Sequence, residues 1–503
     1  MSIQDFAYLK NYINPSNEEE KKRYIYPINT WLNNPSWNED ISTLRKIHVN
    51  ICKQLIRETL DDDVYLGFDH GTFDKDAQYL RVTIFTNEML EYDRVSLNAM
   101  DSEGIGNPAS KDGNPAHSLS AKNVYLPYFI HFLIDLNEIS DTDMKEELRK
   151  LSNEARWCHG KISREKPDGD AIRGLIEIGI RDITYRSGWL SLLNERSKED
   201  KINKIAAGIV CDTDDNVGGI IKGSFNESGS CFVKVYKVGN GNLLYITDAH
   251  KGKIIYDIGY STGFGKPTNN KQYSKASRAI SHMKPACVML SHWDCDHFIG
   301  YVYAKQEMFY RPWIAPDLCV KPYIKGRAAC LTARRLAVYL YKIGSLHLIA
   351  RGNSTGRLIS MHTSGKLTLS VWLGGNKDPN TSLINCEGLA LDILYNINNT
   401  NNIHTLMMGD VPYVSLPAAS NFKYNSPFDY LVVPHHGGKL VFSPLMKHQK
   451  DNLHYAIVSG DSTRPVSSHK SALNNGGYNV VLTEQTNEAI RFNLHRKNEI
   501  RMI

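Results

Sequence analysis

His292, Asp294, Asp296 and His297 fall within six consecutive residues of the stretch Leu290-Ser-His-Trp-Asp-Cys-Asp-His-Phe-Ile-Gly300. Imidazole suits Zn, Fe and Mn, while a carboxylate can bridge two cations and offset their charge, so a hydrolytic metal centre would use both. The apolar run Ala286-Cys-Val-Met-Leu290 just upstream reads as a short buried strand. A cluster at a strand end would hold its ligands on a loop facing one point. The plain alternative is a solvated acidic loop with two unrelated histidines.

Further along, Asp410 follows the apolar run Leu406-Met-Met-Gly409, which suits a bridging carboxylate at a strand's C-terminal edge. His435 and His436 are adjacent, so their side chains diverge if the backbone there is extended. At most one would then reach a cation, and the other would donate a proton or orient phosphate. Gly437 and Gly438 leave room for close approach, and Lys439 is placed for a phosphate contact. His347, His362 and His404 carry no ligand spacing and read as incidental.

These segments resemble the metallo-β-lactamase fold, in particular its ComEC-like branch of competence-protein hydrolase domains. The His292–His297 stretch is similar to His-x-His-x-Asp-His, with Asp294 where the second His usually stands. Val238-Gly-Asn-Gly-Asn242, Ile254-Ile-Tyr-Asp-Ile-Gly259, Leu406-Met-Met-Gly-Asp410 and Asp429-Tyr-Leu-Val-Val-Pro-His-His-Gly437 resemble the branch's other motifs in the same order. Asn380-Thr-Ser-Leu383 resembles the segment preceding its Gly-Asp strand. The likeness covers residues 230–480.

That resemblance implies an αββα sandwich over residues 206–503, within an α/β protein whose residues 1–205 form a mixed α+β region of unassigned role. It implies two divalent ions, Zn or Mn with Fe a third choice, held by His292, Asp294, Asp296, His297, Asp410, one of His435 and His436, and His469. Asp296 would orient the attacking water, His436 or Lys439 would stabilise the leaving group, and Asp257 would orient a ligand loop. Three departures bear on this. Asp294 in place of His shifts the site toward harder oxygen ligation. Ser467-Ser-His469-Lys lacks the Gly and Pro of the branch's Gly-His-Pro, and with no His motif between His297 and Asp410 the first site would draw a ligand from the His435–His436 pair.

The rest of the chain sets bounds. Its 503 residues suggest more than one domain, and 42% hydrophobic with 22% charged residues is ordinary for a globular protein. A net charge of +5 does not by itself mark a nucleic-acid binder. Nine scattered cysteines without a C-x-x-C pair fit a reducing compartment. The N-terminus shows no signal-peptide pattern and the longest apolar stretch, residues 124–136, is too short to span a bilayer, so the expectation is a soluble, cytoplasmic chain without membrane attachment.

In the N-terminal region, Val64-Tyr-Leu-Gly-Phe68 and Tyr79-Leu-Arg-Val-Thr-Ile-Phe85 alternate as strands. Asp141 can cap a helix with Gly160 past its end. Residues 17–23 read as a charged helix start, residues 104–118 as a loop, and His70 and His159 as isolated. Asp212-Thr-Asp-Asp-Asn216 reads as a linker rather than a calcium loop. Tyr478-Asn-Val-Val-Leu482 and Ala489-Ile-Arg-Phe-Asn-Leu494 read as a closing hairpin.

Residues 311–377 are basic: Arg311, Lys321, Lys325, Arg327, Arg334, Arg335, Lys342, Arg351, Arg357, Lys366 and Lys377 face only Asp317, with Tyr323, Tyr339 and Tyr341 among them. Residues 328–343 read as a helix ended by Gly344. Such a strip beside a metal site would attract phosphates, or else merely solvate an insertion. The functional expectation is a nuclease or phosphodiesterase, used as a bacterial defence effector, with the N-terminal region binding a protein partner. The alternatives are a hydrolase of a small ester, nucleotide or lactam, and a metal-free binding module.

Overall fold

The computed structural model describes residues 64–68, 79–85, 129–153, 157–163, 166–179, 183–195, 201–225, 231–247, 252–260, 274–319, 329–351, 356–375, 378–398, 401–416, 428–441, 454–460, 464–497 and 499–503. The charged run 17–23, the loop 104–118, His70, Lys321, Tyr323, Lys325, Arg327 and Lys377 lie outside them. The described residues up to Lys201 cluster as one compact unit, and those from Ile202 onward as a second, apart from Lys342–Gly344.

The first unit holds a closed antiparallel barrel of β1 (Val64–Phe68), β2 (Tyr79–Phe85), β3 (Phe129–Asp135), β4 (Trp157–Ser163), β5 (Ile172–Gly179) and β6 (Ile183–Glu195), ordered β1-β2-β3-β5-β6-β4. Closure leaves no strand edge to pair with another chain. A helix, Thr142–Asn153, follows β3. Asp141 Oδ1 accepts from the backbone N–H of Asp143 (2.9 Å) and Met144 (3.2 Å), so the expected cap forms. Gly160 does not end that helix: it lies inside β4, paired with both β1 and β6. A carboxylate on β5, Glu177, is buried with His131 Nδ1 at 2.8 Å and Arg81 Nε at 3.6 Å.

The second unit holds two sheets. One begins with β7 (Phe232–Tyr236), β8 (Leu243–Thr247), β9 (Gly252–Ile258), β10 (Cys287–Met289), β11 (Trp313–Pro316) and β12 (Leu346–Ile349). The other is β13 (Arg357–Ser364), β14 (Leu367–Leu373), β15 (Leu389–Asn398), β16 (Asn401–Met407), β17 (Tyr430–Val432), β18 (His454–Val458) and β19 (Tyr478–Leu482), in that order. The chain then returns to the first sheet, where β20 (Ala489–Asn493) pairs antiparallel with β7 and β21 (Ile500–Met502) with β20. The expected closing hairpin is therefore absent: β19 pairs parallel with β18 in one sheet and β20 belongs to the other. Burial decides this, because Ile490 and Phe492 on one face of β20 join the same core as Val233 and Val235 of β7.

That core draws on both sheets. Val233, Leu244, Ile246 and Ile254 from the first share one buried cluster with Leu369, Val371, Leu391, Ile393 and Met407 from the second. The period of two in β14 explains the division: Leu367, Leu369, Val371 and Leu373 enter this cluster, while Trp372 joins a second one with Leu406, Leu431, Val433 and Leu473. Each fully buried Leu, Ile or Val contributes roughly 1.5–3 kcal/mol relative to exposure, so two apolar faces on one sheet fix its register strongly.

In each sheet a run of strands is parallel, β9-β10-β11-β12 in one and β16-β17-β18-β19 in the other. Parallel strands bring their C-terminal ends to one edge, where loops can converge on a ligand. The loops after β10, β16 and β17 carry His292–His297, Asp410 and His435–His436.

Among the described residues the basic strip is partly turned inward. Helix Leu331–Lys342 forms and Gly344 follows it at φ +73°, but Leu331 to Leu340 are all buried, Arg334 and Arg335 included. Arg351 donates to the Asp317 carbonyl and to Glu387 (3.3 Å), and Arg357 donates to Asp214 and the Ala350 carbonyl. Arg311 and Lys366 stay exposed. Residues 212–216 are not a linker either: Thr213 caps helix Asp214–Ser224, accepting from Asn216 N–H.

Candidate metal centre

Asp257, near the end of β9, anchors the site. It is fully buried, and its Oδ1 accepts the Ser291 backbone N–H at 2.6 Å. Its Oδ2 lies 2.8 Å from each of Asn242 Nδ2, Ser291 Oγ and His297 Nδ1. A carboxylate only accepts, so His297 carries a proton on Nδ1 and turns Nε2 toward Asp410 and Asp296. Ser291 Oγ, having given its hydrogen to Asp257, accepts from His292 Nδ1 at 2.9 Å. His436 Nδ1 donates to the Ser459 carbonyl at 2.7 Å. All three imidazoles thus have Nδ1 engaged by the protein and turn Nε2 toward the carboxylates.

Those nitrogens meet the carboxylates. His297 Nε2 lies 3.0 Å from Asp410 Oδ1 and 3.8 Å from Asp296 Oδ2. His436 Nε2 lies 3.1 Å from Asp296 Oδ2 and 3.6 Å from Asp410 Oδ1. His292 Nε2 lies 3.4 Å from Asp294 Oδ2 and 4.0 Å from Asp410 Oδ2. Two groups bring their ligand atoms within 4.8 Å of one another: His292, His297 and Asp410, and Asp296, His297 and His436.

The donor set fits a divalent cation. His292 Nε2, Asp294 Oδ1, His297 Nε2 and Asp410 Oδ1 are buried without a hydrogen-bond partner. Orphaned buried polar atoms cost about 1–3 kcal/mol each, so four converging at one place call for a ligand. The charges are already mutually supportive. Burial opposes ionisation of Asp410, yet His297, His435 and His436 hold its carboxyl well below the ordinary value. Burial likewise opposes ionisation of Asp296, and His297 with His436 brings it down to about 2. For His297 burial acts against protonation, and Asp410, Asp257 and Asp296 outweigh it and raise its pKa well up.

The backbone is strained where these side chains sit. Among the described residues, non-glycine φ angles are positive at Asp257 (59°), His435 (53°), His436 (51°) and Cys319 (51°), so three of the four fall here. Each left-handed residue costs roughly 1–2 kcal/mol, which the surrounding hydrogen bonds must offset. The His435–His436 backbone is therefore left-handed, not extended. The rings still part: His436 reaches Asp296 and Asp410 Oδ1, while His435 Nδ1 lies 2.7 Å from Asp410 Oδ2.

His292, Asp294, Asp296, His297, Asp410, His435 and His436 are thus brought together. His469 is not. Its Nδ1 donates to the Gly438 carbonyl at 2.8 Å and its Nε2 accepts from Tyr413 Oη at 3.0 Å, so both ring nitrogens are occupied by the protein. It holds the loop that carries the two adjacent histidines. Lys439 is exposed, next to Gly438.

Sequence reasoning missed Asn242, Ser291, Asn385 and Ser459. Asn242 and Ser291 sit inside or beside the quoted motifs, but nothing in their types marks them as partners of Asp257. Ser459 contributes through its backbone carbonyl, which any residue would offer, and its hydroxyl ties Gly241 O at 2.6 Å.

No protein-family model and no curated protein matches this chain. Ten chains of solved structures do match. One is a metallo-β-lactamase, MIM-1 from Novosphingobium pentaromativorans, 13% identical over 40% of this chain and 76% of that one, with a TM-score of 0.21.

Proposed function

We propose that the chain is a metal-dependent hydrolase of the metallo-β-lactamase type, with the two sheets of the second unit forming the inner layers of an αββα sandwich. The observation that carries this reading is the shared orientation of His292, His297 and His436, each with Nδ1 engaged by the protein and Nε2 facing Asp294, Asp296 and Asp410. Two divalent cations would draw on the two groups, one on His292, His297 and Asp410 with Asp294 beside His292, and one on Asp296, His297 and His436. Such cations, Zn, Mn or Fe, lower the pKa of a water and polarise an ester oxygen. The protein's part is to fix tautomers through Asp257, Ser291 and the Ser459 carbonyl, and to position water from Asp296. The ComEC-like assignment rests on the motif order alone.

Three carboxylates neutralise most, but not all, of the charge of two divalent cations. The remaining positive charge favours an anionic substrate, so the reading is a phosphodiesterase or nuclease. The cytoplasmic location, the N-terminal protein partner and the defence role belong to the same proposal. Among the described residues, Arg334 and Arg335 are buried and Arg351 is paired with Glu387, which favours a second reading, a small ester or nucleotide.

Elemental analysis of protein purified without chelator tests the metal, beside an Asp296→Ala/His297→Ala variant. Both are then assayed with Mn and Zn on single- and double-stranded DNA, RNA and a chromogenic phosphodiester. Metal and cleavage lost together in the variant is the expected result. Metal without cleavage of any polynucleotide moves the substrate to a small ester. A metal-free wild type leaves a binding module.

A further inference from the structure

Asn385 lies in the short helix Leu383–Cys386, and its side chain is buried against the carboxylate of Asp410. Its amide orientation is set by its neighbours: Oδ1 accepts from Ser382 Oγ at 2.9 Å and Nδ2 donates to Thr381 Oγ1 at 3.0 Å. The second Nδ2 hydrogen has Asp410 Oδ2 and His435 Nδ1 within 3.4 Å. His435 Nδ1 lies 2.7 Å from Asp410 Oδ2, a carboxylate that only accepts, so this nitrogen is itself a donor. Two donors do not bond each other, which leaves Asp410 Oδ2 as the acceptor for both.

We infer that Asn385 is a positioning residue for Asp410. With His435 it pins Oδ2, and that fixes the carboxylate plane so that Oδ1 faces His297 and His436. The chemistry favours an amide here over a further acid. Asp294, Asp296 and Asp410 already supply negative charge, and a neutral donor orients Asp410 without removing the positive surplus an anionic substrate would meet. Partners of a ligating carboxylate set metal affinity by about 10–100-fold. The effect falls on the His292 side, because Oδ2 is the Asp410 oxygen nearest His292 Nε2, at 4.0 Å. This inference rests on the metal-dependent reading above.

The test is a Co²⁺ titration of metal-free full-length protein, followed by visible absorption so that each uptake step is resolved. His292→Ala identifies which step belongs to that side of the site. Asn385→Leu keeps the volume and loses the donor, and is expected to weaken that same step about 10–100-fold and the other step less. Ser382→Ala, which only loosens the amide, should move the same step in the same direction by less, and it decides the matter should Asn385→Leu fail to fold by circular dichroism. Folded variants that take up Co²⁺ in both steps as the wild type does would overturn the role of Asn385. A wild-type protein that takes up no Co²⁺ removes the metal reading itself, and this inference falls with it.

Discussion

Ser291 Oγ stands 2.8 Å from Asp257 Oδ2, and that one hydrogen bond makes Asp257 govern His292 as well as His297. Because the hydroxyl has a single hydrogen, donating it to the carboxylate leaves only lone pairs for His292 Nδ1. Ser291→Ala frees the tautomer of His292 and leaves its Nδ1 buried without this acceptor. Metal affinity should fall about 10–100-fold. Stability of the metal-free protein should fall by about 1–3 kcal/mol. Titration with Zn²⁺ and urea unfolding measure the two separately, and unchanged affinity would show that the relay does not matter.

Gly409 precedes Asp410 at φ +55°, and a Cβ there would run into the Ser291 side chain. Gly409→Ala therefore meets two penalties, roughly 1–2 kcal/mol for the left-handed backbone and about 1–3 kcal/mol for overpacking. A loss of at least about 2 kcal/mol in chemical denaturation is expected, with weakened metal uptake because Ser291 must move. A variant as stable as wild type would mean that the loop after β16 relaxes freely.

Arg351 and Glu387 form a buried pair at 3.3 Å, with side chains 5% and 4% exposed. Removing one partner of such a pair strands the other charge, at a cost of about 3–5 kcal/mol. Arg351→Met should show that loss, and the double variant Arg351→Met/Glu387→Gln should recover much of it. If Arg351 instead served substrate binding, the single variant would keep its melting temperature and lose activity.

His469 is held neutral: burial is the main cause, with His435 and Arg464 adding to it against the Gly438 carbonyl, and its pKa falls from 6.5 to about 4. A depressed histidine binds its proton more readily when unfolded. Its contribution is complete above pH 6.5 and is lost as pH falls toward 4. The shift corresponds to about 3 kcal/mol in order of magnitude. His469→Gln should flatten the pH dependence of unfolding across that window, and an unchanged slope would show that other groups set it.

The candidate ligands and their order along the chain were legible in the sequence. The clustered His292, Asp294, Asp296 and His297, the lone Asp410 after an apolar strand and the adjacent His435 and His436 are local patterns, and period-two apolar runs mark the strands that carry them. What only the tertiary structure decided is which atoms face which. His469 reads as a ligand and Arg335 as part of a basic strip because residue type is visible in sequence, but burial and the occupation of their polar atoms are not. The pairing of β20 with β7 depends on residues more than two hundred positions apart, so a neighbouring strand looked like its partner. Ser291, Asn385 and the Ser459 carbonyl act through hydrogen bonds to groups far along the chain, and such bonds leave no spacing to read.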